Sequence, residues 1–188
     1  ETVAPADQAQ VPTTEPIDTT EWTKTGGQLG SQPGGTYTDP DGNKWYVKQS
    51  KTPEHAANEL LAGALYDAAG VKIIKPTAVT TDGKPGTATK WVEGVGPKPD
   101  KTKASGFLLS EDFVIDAWLA NWDVIGLNYD NIMQPGNIRT DFGGALLFRA
   151  QGEPKGNLFG NTVGELNSLL DPKVNAQSAS VFKNITLD

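Results

Sequence analysis

Hydrophobic and polar positions divide the chain into a strand-rich first half and a helix-rich second half. Alternating residues at 44–49 follow the turn sequence at 39–42, which predicts a β-hairpin, and a glycine-rich loop at 26–35 precedes it. Two apolar stretches, 73–80 and 87–92, lie on either side of a Gly- and Pro-containing turn. They predict a second hairpin.

Helical spacing predicts one long helix in the first half and shorter helices in the second. Residues 52–70 begin with the N-cap residue Thr52 and a proline and end at a glycine. The apolar positions expected to face the core are Leu60, Leu61, Ala64, Leu65 and Ala68. Residues 110–122 predict a buried helix that starts at Ser110, and residues 161–172 predict another helix.

This order of elements predicts an α+β protein with two lobes. The N-lobe, 21–94, is β-rich with one helix, and the C-lobe, 95–188, is small and mainly helical. A Gly-, Pro- and Lys-rich linker at 94–106 joins them. Residues 1–20 lack aromatic residues, Lys and Arg, which predicts an acidic, disordered tether. Because the chain begins with Glu1, we expect a processed chain or part of a larger polypeptide.

Composition narrows the classes of function. The 188 residues, 37% hydrophobic and 21% charged, fit one globular domain. A net charge of -7 argues against nucleic acid as a partner. The absence of Cys and the single histidine, His55, exclude thiolate and His-rich metal sites, and His55 is expected at the surface. No apolar run approaches the roughly 18 residues of a membrane span, so we expect a soluble protein.

A group of carboxylates and amides in the second half suggests a metal–phosphate site. Its members are Asp123, Asn128, Asp130, Asn131 and Asp141. Their oxygens are the ligands that Mg²⁺ prefers. Each of these residue types also forms turns, but the hairpin predicted from 131–133 and 138–140 has its own turn at 135–137. That hairpin brings Asn131 and Asp141 to the same end of the two strands.

The first half supplies groups that could meet a phosphate. Lys48 lies in the predicted strand 44–49, and Glu59 lies on the helix that follows. A strand lysine that reaches phosphates and a helix glutamate that orients it are parts of phosphoryl-transfer sites. The alternative is an exposed lysine and a solvated glutamate.

The order of these parts resembles the protein-kinase-like fold, and in particular its atypical members, over about residues 22–171. Val47-Lys48 resembles the lysine strand, and Asp141-Phe142-Gly143 resembles the metal-binding DFG motif. Asn121-Trp122-Asp123 is most similar to the catalytic loops of phosphoinositide-kinase-like and HipA-like proteins. Several stretches also look like kinase-like domains of phage MuF-type and bacterial toxin-like proteins.

The resemblance implies a set of site residues. Those expected to bind the nucleotide, from the glycine loop, strand, helix and hinge, are Gly27, Gly30, Gly34, Gly35, Lys48, Glu59, Trp91, Val92 and Glu93. Asp123 and Lys48 would be the catalytic residues. Asn131 and Asp141 would bind magnesium, with Asn128 and Asp130 as alternatives, because the spacing from Asp123 is three residues longer than is usual in the family.

The implied function is an ATP- and Mg²⁺-dependent kinase acting on a hydroxyl of a protein, lipid or small molecule. Two alternatives stay open: a nucleotide-binding pseudokinase that serves as a structural or interaction module, and a kinase-fold AMP transferase. The glycine loop departs from the family because it lacks the G-x-G-x-x-G pattern. A cytoplasmic protein, one delivered into a host and a phage-associated one are all compatible with the sequence.

Overall fold

The computed structural model describes residues 15–97 and 111–186, which form two sheets, one long helix and several short ones. The strands are β1 (Ile17–Asp18), β2 (Thr23–Gly26), β3 (Gly34–Thr38), β4 (Lys44–Gln49), β5 (Pro76–Thr81), β6 (Lys84–Lys90), β7 (Gly96–Pro97), β8 (Ile132–Gln134) and β9 (Ile138–Arg139). The helices are α1 (Pro53–Ala68), α2 (Phe113–Trp118), α3 (Glu165–Ser168) and α4 (Ala176–Phe182), with a 3₁₀ turn at Gly156–Leu158. This combination confirms the predicted α+β class.

The larger sheet has six strands in the order β1-β5-β6-β4-β3-β2. Both predicted hairpins are present as the antiparallel pairs β3–β4 and β5–β6. Strand β4 lies inside this sheet, between β3 and β6, and its side chains alternate between the two faces. Val47 packs with Val79 and Ala88 in a small core, so Lys48 faces the other way. The register therefore fixes where Lys48 points.

Helix α1 begins as predicted, but its buried face is not the predicted one. Thr52 caps the helix by accepting a hydrogen bond from the His55 N–H at 3.2 Å. The buried residues are His55, Ala56, Asn58, Glu59, Ala62, Gly63 and Tyr66. Leu61, expected in the core, is 41% exposed. The buried face combines polar groups with small residues that allow close packing, so its hydrophobicity is low and the apolar pattern identified the wrong face.

The prediction that residues 1–20 form a disordered tether is wrong for its last residues. Residues 1–14 lie outside the described residues, but Ile17–Asp18 form β1, which pairs in parallel with β5. The Thr19 side chain is buried, and its hydroxyl lies 2.7 Å from that of Thr81. Composition reflects apolar burial alone, whereas backbone pairing with β5 and threonine hydrogen bonds order this segment.

The predicted linker, 94–106, is also partly structured. Gly96–Pro97 form β7 and pair with β8 in a three-stranded sheet completed by β9, while 98–106 lie outside the described residues. The predicted helix start, Ser110, lies outside them as well. Helix α2 begins at Phe113, with Asp112 as its N-cap residue but without a side-chain cap, because the Asp112 carboxylate pairs with Arg139 at 2.9 Å.

The carboxyl-terminal core is built from short elements that meet around aromatic rings. Phe113 of α2 and Phe182 of α4 pack edge to face, with ring centroids 5.0 Å apart. The sequence did not predict α4, although Asn175 caps it by accepting a hydrogen bond from the Ser178 N–H at 3.0 Å. None of the helices in the described ranges has the length and apolar character needed to cross a bilayer.

Candidate active site

A cleft of about 370 Å³ lies between the six-stranded sheet and the β7–β9 sheet. Its sheet side includes Tyr46 and Lys48 of β4, and its other side includes Asn131, Met133 and Asp141. The walls are mostly apolar, with charged groups gathered near Lys48. An apolar cleft with a few convergent polar groups is typical of a small-molecule site.

Lys48 joins the two sides of the cleft. Its Nζ lies 2.8 Å from Glu59 Oε1 and 2.6 Å from Asp141 Oδ1, so one ammonium bridges two carboxylates. Lys48 and Glu59 are buried, and the Asp141 side chain remains 44% exposed. The structure therefore brings together the strand lysine, the helix glutamate and the acid of the second half, all expected at the site.

The charges in this triad support one another. Burial by itself would lower the pKa of Lys48, but the carboxylates of Asp141 and Glu59 outweigh it and raise that pKa above its ordinary value. Burial would likewise raise the pKa of Asp141, but the Lys48 ammonium lowers it below its ordinary value. Lys48 is thus held as a cation and Asp141 as an anion over the whole neutral range.

Asp141 is positioned by the fold around it. The next residue, Phe142, is fully buried and stacks on Tyr66 of α1 at a centroid distance of 5.2 Å. Asp141 itself has φ +57°, a left-handed conformation that costs free energy for a non-glycine residue. The buried Phe142 ring fixes the chain on one side of Asp141, and the ion pair with Lys48 holds its side chain.

Asp123 has a strongly raised carboxyl pKa and lies close to Asp141 and Asp130, although it does not itself line the cleft. Desolvation raises its pKa to about 6, and the nearby charges of Asp141 and Asp130 contribute to the increase. The Asn131 side chain donates a hydrogen bond from Nδ2 to the Asp123 carbonyl oxygen at 2.8 Å. The raised pKa makes Asp123 a candidate proton acceptor, and the Asn131 hydrogen bond holds its backbone in place.

Hard oxygen ligands line the cleft. Asn131, Asp130 and Asp141 line the cleft, whereas Asn128 is exposed and does not line it. Within 15–97 and 111–186, no three residues of the His, Cys, Asp and Glu types gather as metal ligands. Any divalent ion bound here would use one or two carboxylates, the Asn131 amide and oxygens from a ligand, which is a common arrangement for Mg²⁺.

Two of the three expected hinge residues lie at the cleft. Trp91 and Val92 line the cleft, and Glu93 does not. Lys44 lies over the Trp91 ring, with its Nζ 3.7 Å from the ring centroid, which holds the indole in place by a cation–π contact.

Among the four expected phosphate-loop glycines, the structure brings Gly30 alone to the cleft. Gly34 and Gly35 belong to β3 and pair with Lys48 and Val47 of β4. A Cβ atom at Gly34 would lie 2.3 Å from the Val47 carbonyl oxygen, so this glycine permits close strand pairing. Gly27 has no atom within 4 Å of such a Cβ position.

His55 was expected at the surface, and this is wrong. It is 1% exposed, its Nε2 lies 3.1 Å from the Gly143 carbonyl oxygen, and its ring stacks on Phe148. The missed signal is its position one turn before Glu59, on the same helix face. Asn58, also missed, donates to the Ala145 carbonyl at 2.9 Å and accepts from the Leu147 N–H at 3.1 Å. Helix α1 thus contacts the segment that follows Asp141.

Comparisons with known proteins support the fold, and the resemblance to particular kinase-like families stays a prediction. No protein-family model matches the sequence, and no curated protein does. Among solved structures, the chain is similar to a Helicobacter pylori proinflammatory kinase, CtkA, with a TM-score of 0.55 and 14% sequence identity. The likeness covers 70% of this chain and 61% of that one, so this chain spans less than two thirds of CtkA. The chain therefore has a two-lobed, kinase-like α+β fold.

Proposed function

We propose that the protein is an ATP- and Mg²⁺-dependent phosphotransferase. The observation that carries this proposal is the Lys48 ammonium, held by Glu59 at 2.8 Å and by Asp141 at 2.6 Å in the wall of a mostly apolar cleft. An apolar cleft suits a base, and a buried cation in its wall suits phosphate oxygens. The kinase-like fold supports this assignment.

Each residue of the site then has a distinct role. Lys48 binds phosphate oxygens of the nucleotide, and Glu59 keeps the lysine in position after Asp141 turns to another ligand. Trp91 and Val92 contact the base. Asp123, with its pKa near 6, accepts the proton of the acceptor hydroxyl as that oxygen bonds to the γ-phosphorus and the bond to the ADP leaving group breaks.

The residues present fit a magnesium ion. The Asp141 carboxylate is partly exposed toward the cleft, and the Asn131 Nδ2 bond to the Asp123 carbonyl turns the amide oxygen of Asn131 away from that carbonyl. Asn131 and Asp141 would hold Mg²⁺, with Asp130 as a further carboxylate at the cleft. When bound, the ion neutralises phosphate charge. The acceptor is a hydroxyl of a protein, a lipid or a small molecule.

The test combines binding with label transfer. With ATP at about one hundred times its Kd we expect a stabilisation of about 2.7 kcal/mol, a rise in Tm of about 5–10 °C, that depends on Mg²⁺. Asp141→Asn should lose the Mg²⁺-dependent part of that shift. Asp67→Asn, which removes an exposed carboxylate paired with Lys75, is the matched control and should keep it.

Labelled ATP then separates the possible activities. Transfer of the γ-phosphate to an acceptor supports a kinase. Transfer of the α-phosphate with AMP contradicts this proposal and identifies an AMP transferase. Mg²⁺-dependent binding without transfer to protein, lipid or small-molecule hydroxyls contradicts catalysis and identifies a pseudokinase. The absence of any thermal shift contradicts nucleotide binding altogether.

A further inference from the structure

Tyr46 connects the glycine-rich loop to the cleft. Its hydroxyl oxygen accepts hydrogen bonds from the backbone N–H groups of Leu29, at 3.1 Å, and Gly30, at 3.2 Å. Both donors belong to the loop 27–33 between β2 and β3. One phenol oxygen therefore holds two successive loop amides.

The strand register explains why Tyr46 can reach this loop. Tyr46 lies two residues before Lys48 on β4, so both side chains leave the same face of the strand, and both line the cleft. The residues between and before them, Trp45 and Val47, pack on the opposite face. The Tyr46 side chain thus lines the cleft, and its hydroxyl reaches Leu29 and Gly30.

Successive backbone N–H groups in a glycine-rich loop are typical donors to phosphate oxygens. Here an oxygen of the protein already accepts from two of them. A phosphate that approached these amides would have to take the place of the Tyr46 hydroxyl. Trp91 and Val92, which would contact the base, also line the cleft, and neither takes part in the hydrogen bonds of the Tyr46 hydroxyl.

We propose that Tyr46 is a specificity-determining residue whose hydroxyl competes with nucleotide phosphates for the Leu29 and Gly30 amides, so that it lowers the affinity for a triphosphate relative to the unphosphorylated nucleoside. This inference rests on the proposed function. In the free protein the hydroxyl holds the loop against the sheet. In the nucleotide complex the phosphate oxygens accept from the two amides, and the hydroxyl turns to water.

The test uses Tyr46→Phe in the full chain, which keeps the ring and removes the acceptor oxygen. Without ligand, hydrogen exchange measured by NMR at the Leu29 and Gly30 amides should become about two- to tenfold faster than in the wild type. In titrations with Mg²⁺ present, the affinity for ATP should rise by about two- to tenfold. The affinity for adenosine should stay unchanged. Tyr37→Phe, on β3 and away from the cleft, is the matched control and should behave as the wild type.

Each result bears on a different claim. Unchanged exchange at the two amides in Tyr46→Phe overturns the inference, because the hydroxyl would then not hold the loop. Unchanged or weaker ATP binding by Tyr46→Phe overturns it too, and if the wild type binds ATP the proposed function survives. An equal gain for ATP and adenosine shows an effect on the base site and also overturns it. If neither protein binds ATP, both the inference and the proposed function are wrong.

Discussion

Residues 15–97 and 111–186 position their functional groups by different means. In the first range, Lys48 is placed by the register of a continuous sheet, and Glu59 by a regular helix of 16 residues. In the second range the helices have four to seven residues and the strands two or three. Of the non-glycine residues with positive φ in the described ranges, one is in the first range and the others are Ala120, Tyr129, Asn137, Asp141 and Leu146.

The second range has little repeated backbone pairing, and buried polar side chains hold it together with its apolar core. Arg139, 1% exposed, binds Asp116 at 2.9 Å, and Asp116 also accepts from the Tyr66 hydroxyl of α1 at 2.9 Å. The buried Lys155 donates to the carbonyl oxygen of Ala120, and desolvation lowers its pKa to about 8. Backbone strain around Asp123 and Asp141 is thus offset by individual side chains, so single substitutions there should have large effects.

The largest effect is expected from Arg139→Leu. Removing the guanidinium leaves the fully buried Asp116 carboxylate without its ionic partner, which should cost about 3–5 kcal/mol of unfolding free energy. Denaturant unfolding at neutral pH measures this loss. Lys75→Leu breaks the exposed pair with Asp67 and should cost about 0–1 kcal/mol. Equal losses for the two variants would show that the buried network does not stabilise the second range.

A smaller loss of stability is expected in the sheet, at Gly34, which the sequence predicts in the phosphate loop. Gly34→Ala places a Cβ 2.3 Å from the Val47 carbonyl oxygen and should cost about 1–3 kcal/mol as β3 moves away from β4. Because Gly34 pairs with Lys48, ATP affinity should fall as well. Gly27→Ala meets open space and should leave stability unchanged. If Gly34→Ala were as stable as the wild type but bound ATP more weakly, Gly34 would contact the nucleotide directly.

The same contrast explains what the sequence could predict. Turn residues and helix caps act locally, so the hairpins β3–β4 and β5–β6 and the start of α1 were predictable. The face of α1 was not, because its buried side carries His55, Asn58 and Glu59, which hydrophobic periodicity assigns to solvent. The partners of His55 and Asn58 are distant in sequence: Gly143 lies 88 positions after His55, and Ala145 lies 87 positions after Asn58.

The grouping of charged residues in the candidate site was predictable from the order of motifs along the chain. Lys48, Glu59 and Asp141 lie together as expected, because a strand lysine and a hairpin acid depend on topology more than on detail. Asn128 and three of the four expected glycines do not line the cleft. A glycine-rich stretch can allow close strand pairing as well as ligand binding, and the sequence does not distinguish the two. The Tyr46 contacts with Leu29 and Gly30 could not be predicted, because tyrosine is common in strands and nothing local in the sequence indicates these two partners.

A further prediction, at Asp123, separates function from stability in the second range. In the unfolded chain this carboxyl has its ordinary pKa of 3.8, and in the folded protein the pKa is about 6. Between these values the folded protein holds a proton that the unfolded chain has lost, so Asp123 makes stability fall as pH rises from about 4 to 6. At pH 7.5 the charged group is a net cost, which Asn does not carry.

Asp123→Asn should therefore be more stable than the wild type at pH 7.5, by about 2–3 kcal/mol or about 5–10 °C in Tm, and close to it in stability near pH 4. Phosphotransfer should be lost in the same variant, because an amide cannot accept the hydroxyl proton, and wild-type activity should decline below about pH 6. Thermal unfolding of both proteins across this range measures the difference, with Asp67→Asn as the surface control. Parallel Tm profiles for wild type and Asp123→Asn would contradict the raised pKa, and full activity of the variant would contradict the role of Asp123 as the base.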